Sequence, residues 1–415
     1  EANNVRFIWY EHNLYGEKPN IVFTKYNRGK IDLTNAELIK ALFYLSDNSL
    51  SDSEKKKYQI KIGYEWDNIE NTLRKKDFWK FLNPEKSYTN HIEFIFELIA
   101  KKYLGSIDKT KLKIDPKSDR YWSFYVFNEL TANNIKIYPD DKYDNTKDFL
   151  WDEVKTYYRT FVEWYNDDFY FHIIGFLRHI NHDMETLKEK AESVSKKQLK
   201  KELKELIQKH FGEIDLEQTG YEDDKQKAQQ LLLLFNIITT KNSDYRFAFD
   251  KYSDEKWSLE HIHAQQSESL KSNKQRRILL EEQKIYFLNN KKNEYVVKID
   301  ELLASSSINE QEFNKIQEGI FKKYSDGSVI HSIKNLTLLT VSDNSCLNNN
   351  IFPIKMDKIK KLDTKGSFIP ICTKNVFLKY YSKGVEQNVT WDIQDMDAYL
   401  EEMKNVLKDY ITYKE

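Results

Sequence analysis

Two short stretches of the chain carry side chains that could perform hydrolytic chemistry. Glu260 and His261 end a short apolar run, and His263 follows them. Asn335 opens a second apolar run, and Asn344 lies nine residues further on. An imidazole titrates near neutral pH and can serve as a general base, whereas carboxylate and amide oxygens are ligands for hard cations. A general base beside oxygen ligands for a cation suits hydrolysis, in which a water is activated next to a bound cation.

Positioning these side chains requires two strands and a helix. The stretch Lys256–Gln265 predicts a short apolar strand that ends in an acid and two histidines. The run Leu336–Val341 predicts a second strand, followed by a helix whose N-cap is Ser342 or Asp343. The residues that fall on one face of that helix are Asn344, Leu347 and Ile351.

The order strand, strand, helix with these residues resembles the HNH (His-Me finger) nuclease motif. Glu260-His261-Ile262 matches its first element, Asn335-Leu336-Thr337-Leu338-Leu339 matches the second, and Asn344 stands at the spacing of the third. The resemblance implies an endonuclease in which Glu260 and Asn344 are ligands of Mg²⁺ or Mn²⁺. It also implies that His261 is the general base and that Asn335 holds the loop that orients His261.

Further matches narrow the resemblance to GmrSD-type restriction proteins. Phe247-Ala248-Phe249 precedes the first strand, and Asn344, Leu347, Phe352 and Lys355 follow the second in the order typical of that family. Residues 23–38 are similar to the end of its ParB/sulfiredoxin-like N-terminal domain. The resemblance therefore implies cleavage of DNA, with modified phage DNA as a candidate substrate, in anti-phage defence or modification-dependent restriction.

The sequence departs from that family in several places. The Asp-Gly-Gln-Gln-Arg segment tied to nucleotide handling does not occur, so NTP dependence is left undetermined. Because the chain starts at Glu1 and leads straight into an apolar run, we expect an upstream part to be missing. Ala264 and Lys334 replace the usual Pro and Gly. Thr340 and Asp343 stand where many HNH domains carry zinc-binding cysteines, so no zinc knuckle is expected.

Two basic clusters flank the candidate site. One lies in a stretch predicted to be a helical insertion, at about residues 267–330, and the other follows the predicted metal-ligand helix. Such clusters suit contact with a phosphate backbone. The two histidines separated by one residue could instead bind a transition metal, but a structural or phosphate contact is our preferred interpretation for the second ring. The predicted nucleic-acid contacts are His263, Arg276, Arg277, Lys355 and Lys358.

Composition limits the fold around this site. The 415 residues include only 11 Gly and 6 Pro, and a chain so poor in turn-forming residues is typical of long helices. With 65 basic and 66 acidic side chains, the protein is not a globally basic nucleic-acid binder. Two cysteines exclude a disulfide scaffold and favour the cytoplasm, and no apolar run has the length that a membrane span needs.

The predicted fold is mainly α with a small α+β part, in which a helical middle domain precedes a C-terminal ββα-metal (HNH) nuclease domain. Near the N-terminus, strands are predicted at Val5–Tyr10 and Ile21–Thr24. A helix then begins with a capping box formed by Thr34 and Glu37. The predicted domains are a C-terminal remnant of a ParB/sulfiredoxin-like domain at 1–50, a helical domain at 51–243, and the nuclease domain at 244–415 with its insertion at about 267–330.

Other functions are compatible with the same residues. A DNA- or nucleotide-sensing regulatory or scaffold protein could retain a silent HNH site, and a test of plasmid cleavage with Mg²⁺ or Mn²⁺ discriminates between the two. An RNA target is a third hypothesis, which parallel digests of DNA and RNA would decide. No membrane partner is expected, and a homo-oligomer is left open.

Overall fold

The computed structural model describes residues 32–44, 51–84, 86–108, 114–139, 142–220, 224–263, 272–289, 291–324, 331–347, 350–382 and 390–414. Over these residues the chain is mainly helical with two small sheets, which confirms the predicted class at this level. None of the described helices is both long and apolar enough to cross a membrane. The strands predicted at Val5–Tyr10 and Ile21–Thr24 lie outside the described residues.

The described residues fall into two compact units. The first contains those up to Trp66 together with those of Tyr88–Val154, and the second contains Asp67–Ser87 and the described part of Lys155–Glu415. The candidate site lies within the second unit. The helices that follow Lys155 belong to the same unit as the C-terminal part, and the domain boundaries given above stay a prediction.

The described part of the N-terminal half is a succession of helices whose starts follow local capping rules. The predicted capping box is present: the Glu37 N–H donates to Thr34 Oγ1 at 3.2 Å, and the Thr34 N–H donates to Glu37 Oε2 at 2.8 Å. The Asp167 carboxylate accepts from the Tyr170 N–H at 3.0 Å, and so begins a new helix immediately after a long one ends. The helices are α1 (Asn35–Tyr44), α2 (Asp52–Leu73), α3 (Lys76–Leu82), α4 (Glu93–Tyr103), α5 (Trp122–Ala132), α6 (Thr146–Asn166), α7 (Asp168–His179), α8 (Met184–Ser193) and α9 (Lys196–Phe211).

The second unit is built around one apolar helix, Lys225–Asn242, in which every residue of 231–238 is buried. Its one polar residue in that run, Asn236, accepts from the Cys372 N–H at 2.8 Å and donates to the Leu232 carbonyl at 2.8 Å. The remaining elements are β1 (Glu213–Ile214), α10 (Lys225–Asn242), α11 (Phe249–Asp254), β2 (Trp257–His261), α12 (Asn273–Asn289), α13 (Asn293–Ala304), α14 (Glu310–Tyr324), β3 (Leu336–Thr340), α15 (Val341–Leu347), α16 (Phe352–Thr364), α17 (Ile371–Phe377), α18 (Ile393–Leu407) and β4 (Thr412–Tyr413).

Strands β2 and β3 form the antiparallel sheet that carries the candidate site. His261 lies opposite Leu336, and Trp257 lies opposite Thr340. Every residue of β3 is buried, because α10, α15 and α17 pack against this strand. Strands β1 and β4 pair in parallel as a separate sheet. Strand β3 is therefore enclosed, whereas β1 and β4 each keep an exposed residue.

Between the paired strands, the described residues form the three helices α12, α13 and α14, here called the insertion, which confirms that this stretch is helical. Its being inserted into a nuclease domain stays a prediction. These helices have a core of their own, which the start of α16 completes with Ile351 and Ile354. Inside this core, the buried amides of Gln283 and Gln317 donate to each other at 2.8 Å in both directions. The other buried residues of this core are Leu279, Leu280, Phe287, Val296, Ile299, Leu302, Ile308, Phe313, Ile320 and Phe321.

Candidate active site

Asn335 ties the segment after β2 to the start of β3. Its Oδ1 accepts from the His263 N–H at 2.9 Å, and its Nδ2 donates to the His263 carbonyl at 3.1 Å. Its backbone carbonyl accepts from the Ile262 N–H at 2.9 Å, and the residue is fully buried. The backbone that follows His261 is therefore fixed by one side chain. This is the contact that a positioning role requires, and the role itself stays a prediction.

Helix α15 starts earlier than predicted. It begins at Val341, the residue directly after β3, whereas the sequence suggested a cap at Ser342 or Asp343. The predicted cap was wrong because Thr340 does this work: its hydroxyl accepts from the Asp343 N–H at 3.0 Å. The predicted second strand is correspondingly one residue shorter and ends at Thr340.

Asn344 lies on α15 beside β2. Its Nδ2 donates to Ser258 Oγ at 2.9 Å and to the Leu259 carbonyl at 3.2 Å. Both bonds use the donor end of the amide, so Oδ1 lies at the other end of the group. The predicted helix face from Asn344 through Leu347 to Ile351 was wrong in its last member, because α15 ends at Leu347 and Ile351 caps the next helix.

Glu260 is buried, and a lysine pairs with its carboxylate. Lys355 Nζ donates to Glu260 Oε1 at 2.5 Å and to the His261 carbonyl at 2.6 Å. The two side chains are only 9% and 2% exposed. Burial raises the pKa of the Glu260 carboxyl group, and the positive charge of Lys355 acts in the opposite direction. The predicted metal ligand is thus engaged with the ammonium group of α16.

Three histidine side chains lie around the end of β2. The rings of His261 and His331 are 5.6 Å apart between centroids, edge to face. The backbone of His331 passes close to Gly220, where an added Cβ would lie 2.3 Å from the His331 carbonyl oxygen. His263 is 1% exposed, and neither of its ring nitrogens has a hydrogen-bond partner among the described residues. Burial and the Lys355 charge lower the pKa of both His261 and His263 to about 4, so both rings are neutral at pH 7.

The two arginines predicted to contact nucleic acid make bonds within the insertion. Arg276 is 8% exposed, and its Nη2 pairs with Glu310 at 2.6 Å. Arg277 donates to the carbonyl oxygen of Leu303 at 3.1 Å and to that of Ser305. The arginines therefore tie α12 to the end of α13, to the start of α14 and to the segment between them. Their contact with nucleic acid stays a prediction, and it would require these bonds to be exchanged for phosphate oxygens.

Lys358 joins α16 to the insertion. Its Nζ pairs with Glu282 of α12 at 2.8 Å and donates to the Cys346 carbonyl at 2.7 Å. The same Glu282 carboxylate accepts from Asn350 Nδ2 at 2.6 Å. Sequence reasoning missed Glu282, because a glutamate among charged helical residues is typical of a solvated face. With Lys355 and His263 buried, each of the five predicted nucleic-acid contacts is either buried or bonded inside the protein.

The donor set determines which cation could bind. Among the described residues there is no group of three or more His, Cys, Asp or Glu side chains suited to hold a metal. The transition-metal hypothesis for His261 and His263 therefore lacks a third ligand in that part of the chain. Mg²⁺ needs less, since it keeps several waters and is often held by one or two protein oxygens. Glu260 and Asn344 carry oxygens of that kind, but the Glu260 carboxylate is bonded to Lys355, and the ligand pair stays a prediction.

Comparisons of this chain with family models, curated proteins and solved structures found no match. The functional argument therefore rests on the residue pattern and on the contacts described above. Its strongest part is the order β2, β3, α15. Glu260, His261 and Asn335 lie at the end of β2, and Asn344 bonds to the earlier residues Ser258 and Leu259 of that strand.

Proposed function

We propose that this protein is a metal-dependent HNH endonuclease that hydrolyses DNA phosphodiester bonds, in anti-phage defence or modification-dependent restriction. The observation that carries the proposal is the antiparallel β2–β3 pair with α15 following β3 without a loop. Glu260 and His261 end β2, Asn335 binds the segment that follows, and Asn344 binds β2 from the helix. The resemblance to a ββα-metal site is supported by this order of elements and by these contacts.

His261 is the residue to which we assign proton removal from the attacking water. Its lowered pKa keeps the ring neutral at pH 7, so a nitrogen lone pair can accept a proton. Asn335 keeps the backbone beside this ring in place through its bonds to His263. Glu260 and Asn344 would hold Mg²⁺ or Mn²⁺, which supplies neutralisation of the charge on the phosphate.

Plasmid cleavage tests this assignment. Purified protein is incubated with unmodified and base-modified plasmid DNA, with Mg²⁺ or Mn²⁺, and nicked and linear products are measured on gels. We expect cleavage by the parent, a fall of about 10²–10⁴-fold for His261→Ala, and comparable losses for Glu260→Ala and Asn344→Ala. The matched control is His210→Ala, since this exposed histidine of α9 bonds to Gln230 and should leave cleavage unchanged.

The outcome for His261 decides the proposal. If His261→Ala folds, as judged by circular dichroism, and cleaves DNA as fast as the parent, the assignment is wrong. Parallel digests of RNA decide the nature of the substrate, because a nuclease that cuts RNA and leaves DNA intact would contradict the DNA part of the proposal.

One observation favours a second function. The Lys355 ammonium is bonded to the Glu260 carboxylate, which would otherwise be available to a cation. A silent HNH site of this kind suits a DNA- or nucleotide-sensing regulatory or scaffold protein. Tight binding of DNA or NTP without cleavage under any of the conditions above would support this alternative.

A further inference from the structure

The ammonium group of Lys355 has the contacts of a small bound cation. It lies 2.5 Å from a carboxylate oxygen of Glu260 and 2.6 Å from the carbonyl oxygen of His261, both at the end of β2. Its side chain is 2% exposed, so water contributes little to its solvation. A buried charge needs a partner of opposite sign, and here the ammonium and the carboxylate neutralise each other.

We propose that Lys355 is a resident counter-cation of this site, and that it leaves Glu260 when a divalent cation binds there. This inference rests on the proposed function, which assigns Glu260 as a metal ligand. A Mg²⁺ ion held by the same carboxylate would bring a second positively charged group close to the ammonium. Two positive charges so near each other in a buried place repel strongly, so the metal and Lys355 compete for one carboxylate.

The insertion holds the helix that delivers this lysine. Lys358, on the next turn of α16, pairs with Glu282 of α12, which also accepts from Asn350. Ile351 and Ile354 are buried in the core of the insertion. The backbone of α16 is therefore anchored on both sides of Lys355. Release of the ammonium requires a rotation within its four-carbon side chain, which a flexible lysine can make.

The parent protein gives the first test. Lysines are methylated with formaldehyde and borohydride, with and without Mg²⁺ at a concentration that saturates binding in calorimetry, and labelled sites are read by mass spectrometry. We expect Lys355 to be protected without Mg²⁺ and labelled with it. Lys188 is the control, because its side chain is 3% exposed, is paired with Glu192 at 2.6 Å on α8 and should stay protected throughout. Protection of Lys355 at full Mg²⁺ occupancy would overturn the displacement.

Variants give the second test, read as Mn²⁺ affinity from electron paramagnetic resonance without DNA. Lys355→Met removes the charge and keeps an unbranched side chain that is one atom shorter, so we expect binding to be about tenfold tighter or more. Lys355→Arg keeps the charge and should bind as weakly as the parent. Lys355→Met combined with Glu260→Gln should show no gain, because the carboxylate is the ligand. If Lys355→Met binds Mn²⁺ no tighter than the parent, or not at all, the inference fails.

These readouts separate the inference from the proposed function. If DNA cleavage depends on His261 but Lys355 stays protected in the presence of metal, the proposed endonuclease is supported and the counter-cation role of Lys355 is contradicted. If metal displaces Lys355 but neither DNA nor RNA is cleaved, the counter-cation role is supported and the proposed endonuclease is contradicted. If Lys355→Met fails to fold, the labelling of the parent decides.

Discussion

The paired strands and the helical insertion use buried polar side chains in different ways. In the insertion, Gln283 and Gln317 bond to each other, so each amide satisfies the other. At the strands, Asn335 bonds to the backbone of His263, and Glu260 forms an ion pair with Lys355. A mutually bonded pair can be exchanged together for apolar residues, whereas a backbone left without its partner stays unsatisfied. The insertion is thus organised for packing, and the strands are organised to hold one piece of backbone and one charge.

The largest effect should follow from opening the core of the insertion. Phe287 is fully buried there, so Phe287→Ala should lower the free energy of unfolding by about 3–5 kcal/mol. Hydrogen exchange by mass spectrometry should accelerate in α12–α14 far more than in β2 and β3. The control is Ile285→Ala, since Ile285 is 60% exposed and the change should be nearly neutral. Equal acceleration in the strands would mean that the two regions unfold as one and would break the comparison.

Asn335→Ala should have the next largest effect. The change leaves the N–H and the carbonyl of His263 without partners in a buried place, at a cost of about 2–4 kcal/mol for the two groups. Urea unfolding measures this loss, and DNA cleavage should fall with it. Asn405→Ala, at an exposed asparagine of α18, is the control and should change neither. Full stability in Asn335→Ala would show that these bonds do not hold the segment.

Changes at the glutamine pair should have a smaller effect on stability, and the double variant should be more stable than the single one. Gln283→Leu leaves the buried amide of Gln317 unsatisfied and should lower the free energy of unfolding by about 1–3 kcal/mol. The double variant Gln283→Leu/Gln317→Leu removes both amides and should return close to the parent in urea unfolding. A double variant as unstable as the sum of the single changes would contradict the view that this pair serves packing.

The smallest expected effect is the contribution of His263 to the pH dependence of the free energy of unfolding. The folded pKa of His263 is about 4, below its ordinary value of 6.5, and Lys355 and His261 both face it with positive or ionisable groups. Between these pH values the unfolded chain takes up a proton at His263 and the folded chain does not, so stability falls as the pH decreases from 6.5 toward 4.

Urea unfolding at pH 7.0 and pH 5.5 checks this expectation. His263→Phe should lose less stability than the parent over that interval, by about 1 kcal/mol. The insertion at 267–330 contains no histidine. Identical losses for the parent and His263→Phe would show that the imidazole titrates in the folded protein much as it does in water.

The local elements of the site could be predicted from the sequence. Asn335 and Asn344 stand on either side of a run of apolar residues, and that spacing indicated a strand followed by a helix, which the structure contains. The start of the helix was misplaced because Thr340, Ser342 and Asp343 are all capable caps, and only the final geometry selects the Thr340 hydroxyl.

The electrostatics of the site could not be predicted in the same way. Lys355 belongs to a helix with many lysines, and such a helix is typical of a solvated face. Its burial depends on a tertiary contact with Glu260, far away in the chain, and on the anchoring of α16 by Glu282. A single sequence contains no local signal for a contact of this kind. For the same reason, the sequence did not indicate that Arg276, Arg277 and Lys358 make bonds within the protein.

Helix α15 begins at the residue after β3 ends, so no loop between them can absorb an added or deleted residue. The number of residues from Asn335 to Asn344 therefore determines where the Asn344 side chain lies relative to β2. One added residue would rotate the helix by about 100° or turn the side chains of the strand to its opposite face. Between His263 and Asn335 the number of residues does not set the register of β2 on β3, because the bonds between these two residues hold the ends of that segment together. Replacing the segment would still remove Glu282 and the core that anchor α16, whereas one residue added between Asn335 and Asn344 would move Asn344 away from its partners on β2.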